Sequence, residues 1–419
     1  MSDCGCSGIE APTALMPVAE AVALLQQAGQ NRLPETETVS LDQALNRVLA
    51  LDILAPVNVP PRDNSAMDGY AIHTGSLGRL PLTLAISQRI PAGCHPEPLQ
   101  PGTAARIFTG AVIPEGANAV VMQENCITCK EGEVTLQLGV SPGENVRKAG
   151  QDILAGTGIL RAGDRLGPAA IGMLASLGVG QVTVYRRLRV AILSTGDELV
   201  EPGQPLRHDG QIYNSNRFLL KALLDRLDCE AIDLGVVADN LSDTLTALET
   251  ARLSAEVVIS TGGVSVGEED HVKAAVEQIG KLDFWKIAIK PGKPLAFGSI
   301  GDTAFIGLPG NPQSVWITFL ILARQFLLAR QGQRSGIQPA GFQVPSGFSV
   351  TKPLKREEYF RVRLNNGDNG ATLEKHPNQS SGVLSSSLWA DGVARIPVGI
   401  TVKPGDFVQF LPFSAFGIA

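Results

Sequence analysis

The sequence predicts a multidomain protein in which a doubly wound α/β domain is joined to smaller β-rich parts. Three observations carry that expectation. The chain has 419 residues, enough for about two to four domains that each bury a core. Between residues 186 and 335, continuous apolar runs alternate with amphipathic helical stretches, the pattern of a parallel sheet covered on both faces. On either side of that region lie short β-prone runs separated by proline and glycine.

Residues 10–55 read as helical. Both "PVAEAVALLQQAG" and "SLDQALNRVLALDI" carry apolar residues at helical spacing, and Ser40 with Gln43 forms a capping-box pattern. Residues 56–149 change to β-prone runs, among them "RIFTGAVI", "AVVMQE" and "EVTLQL". Residues 150–185 are mixed and are expected to rejoin the first segment, which makes 56–149 an inserted β domain. In 186–335 the strands are "RVAILS", "AIDLGVV", "EVVIS" and "TAFIGL", and the helices are "SNRFLLKALLDRL" and "LSDTLTALETAR". Residues 336–419, with "EYFRVRL", "VARIPVG" and "DFVQFLPF", read as a small closed, barrel-like β domain.

Composition narrows the function classes. The hydrophobic share of 44% and charged share of 18% are ordinary for a globular protein, and no uninterrupted apolar window reaches the roughly 18 residues a membrane span needs. A formal net charge of −6 argues against a nucleic-acid binder, so an anionic ligand has to be held by local groups. Six cysteines are too few for a disulfide framework and fit a reducing compartment. "MSDCGCSGIE" lacks the basic and apolar regions of a secretory signal, so a cytoplasmic location is expected. Cys126 and Cys129 have zinc-like spacing without a second pair, and Cys4-Gly-Cys6 fits that spacing poorly.

The chemistry-bearing residues gather at the carboxyl ends of the α/β strands. Ser194-Thr195-Gly196 and Ser260-Thr261-Gly262 each close a buried strand. Gly262-Gly263 lets backbone N–H groups approach an anion, yet Glu268, Glu269 and Asp270 follow at once. A divalent cation resolves the conflict by taking carboxylate oxygens on one side and phosphate oxygens on the other. Asp197-Glu198 and Asp239 follow other strands of the same domain. In "WKIAIKPGKP", strand alternation puts Lys286 and Lys290 on one face, with Lys293 just beyond the Pro291-Gly292 turn. In "GLPGNPQS", Pro309 and Pro312 bracket Gly310-Asn311 ahead of a helix, where N–H donors suit a phosphate. Together these describe a site for an anionic phosphoester with a bound divalent cation. None of the five histidines has triad-like or zinc-like spacing. The β domain adds Asp63, Asn64, Ser65 and Asp68 in "PPRDNSAMDGYAI", and Thr109-Gly110.

The segments "DNSAMDGYA", "RIFTGAVIPEGANAVVMQE", "STGDEL", "GQIYNSN", "STGGVSVGEEDHVK", "KIAIKPGKPLAFG" and "GLPGNPQS" together resemble the MoeA family of molybdopterin molybdenumtransferases, which includes the carboxyl-terminal domain of gephyrin. The resemblance runs through nearly the whole chain in order. It implies insertion of molybdenum from molybdate into adenylylated molybdopterin, with Mg²⁺-dependent release of AMP. It implies a homodimer whose MogA-like α/β site faces the β domain of the other subunit, and contact with other molybdenum-cofactor biosynthesis proteins. By this resemblance Asp68, Glu198, Asp239, Asp270, Lys286 and Lys290 are catalytic, with Glu198 and Asp270 as metal ligands. Thr109, Asp152, Ser194, Thr195, Gly196, Asp197, Gly262, Gly263, Ser265, Lys293, Pro309, Gly310, Asn311 and Pro312 then bind substrate. The pattern departs at Ala149 and Gln151, where Arg and Glu are expected, and "DCGCSG" lies outside it. Two other functions are compatible with the resemblance: a non-catalytic gephyrin-like scaffold, and a molybdopterin adenylyltransferase.

Overall fold

The computed structural model describes residues 15–127, 130–262, 271–292, 294–368 and 370–418. Its centre is a six-stranded sheet. In spatial order the strands are Glu230–Val237, Arg189–Thr195, Val257–Thr261, Thr303–Leu308, Pro294–Ile300 and Lys281–Lys286. The first four run parallel, and the last two are antiparallel additions.

Strand alternation sorts the apolar residues to two cores. Val190, Ile192, Val257, Ile259, Ile306 and Leu308 pack with helix Ser215–Arg226 and the helical run from Pro312 to Arg330. Ala191, Leu193, Val258, Ala296 and Phe305 pack with helices Leu241–Ser254 and His271–Ile279 on the other face. The run Pro312–Arg330 is long and apolar enough to cross a membrane, but 89% of it is buried inside the fold, so it is the core helix of this unit. Helix Val18–Gln30 joins the first core through Val18, Ala21 and Leu25, and Gln26 Nε2 donates to Gln325 Oε1 at 3.0 Å.

The stretch 40–53 is not the expected helix. Thr36–Ser40 is a strand paired with Gln181–Tyr185, only Leu41–Gln43 makes a 3₁₀ turn, and the Ser40 side chain caps nothing. Asn46 takes φ 65°, and the N–H groups of Asn46, Leu49 and Ala50 donate to the carbonyls of Leu166, Asp164 and Thr183. Partners more than a hundred residues away thus replace the local i→i−4 bonds that helical periodicity would have used. Ile53–Leu54 also pairs with Gly158–Leu160. The segments flanking 56–149 are therefore hydrogen-bonded to one another.

Between them, a six-stranded sheet runs in the order Ala119–Met122, Gly69–Ile72, Ala104–Ile107, Leu82–Ile90, Glu133–Leu136, Cys126–Ile127. The carboxyl-terminal sheet has Glu357–Gly367, Gly392–Ile396, Phe407–Pro412 and Phe342–Pro345 in sequence across it, with Gly370–Lys375 paired to the first. The Gly347 N–H donates to the Leu373 carbonyl and Ser346 bridges to Leu373, which brings its two sides together and gives a nearly closed barrel. The whole is a multidomain α/β plus β protein.

Candidate active site

Sheet order locates the site. Arg189–Thr195 lies between the strand that follows it and the next one, so the chain leaves it first to one side and then crosses to the other. Such a reversal opens a crevice at the carboxyl ends of the two central strands, where α/β sheets bind ligands. Those ends are Ser194-Thr195-Gly196 and Ser260-Thr261-Gly262, with Ser194 in register with Thr261.

The loops beyond them touch. Gly196 and Gly262 have φ 143° and 88°, and a Cβ on Gly262 would lie 3.1 Å from the Thr195 carbonyl oxygen. A Cβ on Gly310 would lie 3.8 Å from Gly262 Cα, and Asn216 Nδ2 donates to the Gly310 carbonyl at 2.7 Å. The Glu198 carboxylate folds back over Gly196, and Asp239 N–H donates to Asp197 Oδ1 at 3.3 Å. Asp197 and Glu198 are exposed and Asp239 half-buried; among the described residues none has a basic ion-pair partner. Three carboxylates without counter-ions suit a hard cation. Among the described residues they do not close into a protein cage of their own.

Buried polar atoms without partners collect here too. Ser194 Oγ, Asn214 Nδ2, Asn216 Oδ1 and Gln313 Nε2 have none among the described residues. Buried polar groups are nearly always satisfied, so four orphans on one set of loops mark a place completed by ligand or water. Asn214 and Asn216 are site residues that sequence reasoning missed; they stand in the "GQIYNSN" segment, which offered the signal.

The lysine segment departs from its expected form. Lys286 ends a strand of the central sheet, whereas Ile289–Lys290 belongs to the carboxyl-terminal sheet, parallel to Glu357–Glu358. Burial does alternate: Ile287 and Ile289 are buried, Lys286 is half-buried and Lys290 exposed. The two lysines nonetheless sit in different sheets, because the chain leaves one and joins the other between them. Gly292, at φ 109°, rests on the helix that follows the Pro309–Pro312 loop, where an added Cβ would lie 2.2 Å from Thr318 Cγ2.

That loop is also less open than expected. Pro312 has no N–H, and the Gln313 N–H already donates to the Ser381 carbonyl at 3.0 Å. Ser381 belongs to a carboxyl-terminal loop anchored by Arg361, which is 1% exposed. Arg361 Nε donates to Ser386 Oγ at 3.0 Å and Nη2 to the Ser380 carbonyl at 3.1 Å. No carboxylate pairs with it among the described residues, and burial pushes its pKa down to about 10. Arg361 and its loop are thus a second missed contribution, one that sequence spacing could not reveal.

The remaining expected residues lie in the β-rich parts. Asp68 Oδ1 accepts from both the N–H and the hydroxyl of Thr109 at 2.7 Å. These bonds, the N–H first, hold the exposed Asp68 carboxyl below its usual range. Thr109→Val keeps the N–H and removes the hydroxyl, so carbon-detected NMR titration is expected to show the Asp68 pKa rising part of the way back. An unchanged titration would show that the hydroxyl contributes nothing. Asp152 is exposed, its N–H donating to Val59, and near it Asp63 accepts from Ala149 N–H at 2.8 Å and pairs with Lys148. Among the described residues no hydrogen bond or ion pair joins Asp68, Thr109 or Asp152 to the α/β loops. Gly263, Ser265, Asp270 and Lys293 lie outside the described residues.

The family model of the MoeA N-terminal region (domains I and II) matches residues 16–178. A probable molybdopterin binding domain matches 191–329, and the MoeA C-terminal region (domain IV) matches 343–413. The molybdopterin molybdenumtransferase of Haemophilus influenzae is 45% identical over 328 residues, 78% of this chain and 81% of that one. Its namesake in Nostoc sp. is 39% identical over 377 residues, 88% and 86% of the two chains. The crystal structure of the molybdopterin biosynthesis MoeA protein from Pyrococcus horikoshii superposes with a TM-score of 0.81 at 29% identity, covering 95% of this chain and all of that one. With three family models in order and close relatives along most of its length, the chain belongs to the MoeA family.

Proposed function

We propose that this protein is a molybdopterin molybdenumtransferase, inserting molybdenum from molybdate into adenylylated molybdopterin with Mg²⁺-dependent release of AMP. One observation carries the reading: charge of both signs that has no ion-pair partner among the described residues. Asp197, Glu198 and Asp239 follow two strands of the parallel sheet, Lys286 ends an edge strand of the same sheet and Arg361 is buried on a carboxyl-terminal strand, while Ser194, Asn214, Asn216 and Gln313 hold buried polar atoms unpartnered among the described residues. A ligand that carries phosphate and an oxyanion, accompanied by a divalent cation, satisfies both sides.

Glu198 and Asp239, with Asp270, are the groups to hold Mg²⁺, whose bound charge would neutralise the phosphoanhydride as it breaks. Gly196, Gly262 and Gly310 leave room for the backbone to approach the adenylyl phosphate. Lys286, Lys290 and Arg361 supply donors for molybdate oxygens, the Pro309–Pro312 loop lines the same cleft, and Gly263, Ser265 and Lys293 are assigned to substrate binding by the family resemblance. Asp68, Thr109 and Asp152 reach it from a second copy, so the working form is a homodimer with composite sites. Free thiols at Cys94, Cys126 and Cys229 fit a cytoplasmic enzyme.

The test is to incubate purified protein with adenylylated molybdopterin, Mg²⁺ and molybdate and to follow AMP. Release that requires both Mg²⁺ and molybdate is the expected result. Absence of release under every combination would leave a scaffold, and consumption of ATP with adenylylation of molybdopterin would reassign the reaction.

A further inference from the structure

The carboxyl-terminal strand Glu357–Gly367 makes two contacts with segments assigned to the site: Arg361 anchors the loop that bonds Gln313, and Glu358 meets Lys290. The second contact is built in detail. Lys290 lies opposite Glu358 in the parallel register, and Glu357 N–H donates to the Ala288 carbonyl at 2.9 Å. Arg356 Nη1 donates to the Ile289 carbonyl at 3.3 Å. Lys290 Nζ donates to Glu358 Oε1 at 2.9 Å, with the carboxylate side chain 10% exposed and the lysine side chain 49% exposed. The anchored end of this pair is therefore the carboxylate, and the lysine is the end that reaches solvent.

We infer that Glu358 is a positioning residue for Lys290, a role that rests on the reading of Lys290 as an oxyanion donor. An ammonium has three N–H donors. One is fixed on Glu358, which sets the direction of the other two and leaves them for the oxygens of an entering tetrahedral oxyanion such as molybdate. A free lysine samples many rotamers, and a ligand that has to order it binds more weakly. Glu358 orders it beforehand from a second domain, so the seating of the carboxyl-terminal domain on the α/β domain becomes a property of the molybdate site.

The experiment measures molybdate binding by calorimetry, and the KM for molybdate in AMP release, for wild type, E358A, E358Q, K290M and the E358A/K290M double variant. Thermal melts of each chain are recorded alongside. E358A is expected to weaken molybdate binding about tenfold, the scale of one charge-assisted hydrogen bond, with a smaller change in kcat. E358Q should fall between, because its amide oxygen still accepts from the ammonium, and it serves as the reporter if E358A does not fold. The double variant should bind no more weakly than K290M, since Glu358 acts through the lysine. A lowered melting temperature with unchanged molybdate affinity in E358A and E358Q would overturn the inference, as would effects of E358A and K290M that multiply. Unchanged affinity in K290M would instead remove Lys290 from the site and the inference with it, while AMP release in the wild type would leave the proposed reaction standing.

Discussion

Neutralising Glu198 and Asp239 together, as E198Q/D239N, is expected to lower Mg²⁺-dependent AMP release by at least about a hundredfold while leaving the fold intact. The scale is that of removing preorganised charge stabilisation from a reacting phosphoryl group. The two carboxylates stand on loops beside Asp197 with no basic partner among the described residues, so their charge closes no ion pair in the fold. Removing it should leave thermal stability unchanged or raise it slightly, within about half a kcal/mol. Loss of activity with unchanged or increased stability distinguishes a ligand-binding cluster from a solvated surface, whose neutralisation changes neither. A Mg²⁺ titration of AMP release, paired with a thermal melt, measures both quantities. Wild-type turnover with an unaltered titration would show that these acids do not meet the metal.

Gly292→Ala is expected to be strongly destabilising, costing about 2–6 kcal/mol. Two effects add: a φ of 109° is strained for any residue with a Cβ, at about 1–3 kcal/mol, and the new methyl would lie 2.2 Å from Thr318 Cγ2, overpacking of similar size. Thr318→Ser removes that methyl group and keeps the hydroxyl that donates to the Ser314 carbonyl at 2.7 Å. The double variant G292A/T318S should therefore recover the packing part and not the backbone part, as read from denaturant unfolding. Equal stability of G292A and wild type would mean that this turn does not sit on the helix as described. Because Gly292 follows Lys290 by two residues, weaker molybdate binding should accompany the lost stability.

Much of the fold was legible because its strongest signals are local. Val257–Thr261 and Arg189–Thr195 are buried on both faces, so their sequences are continuous apolar runs, and Ser215–Arg226 and Leu241–Ser254 carry the helical pattern between them. Residues 40–53 misled for the opposite reason. Their apolar spacing is helical, but Ala44 and Leu49 reach one core with Leu166, Leu174 and Val184 from a 3₁₀ turn and the irregular backbone that follows it. The placement of the acids at 197, 198 and 239 at one sheet edge was legible because they follow the ends of two strands of one parallel sheet within three residues. Arg361 was not, since its meaning lies in Ser380 and Ser386 around it and in Gln313 beyond, a contact made across domains. Alternation along 285–290 gave the burial of the lysines correctly but not their sheets, because periodicity within a strand says nothing about where the chain changes partner.

In the proposed homodimer one site is built from two chains, with the α/β loops of one copy and Asp68–Thr109 of another. Mixing inactive D68A chains with inactive E198Q chains tests it most directly, by AMP release after subunit exchange. In an equal mixture about half of the dimers are mixed, and each mixed dimer holds one site with neither substitution and one with both. About a quarter of wild-type activity is then the predicted result. Activity that stays at the level of the separate variants, while native mass spectrometry shows mixed dimers, would contradict the shared site.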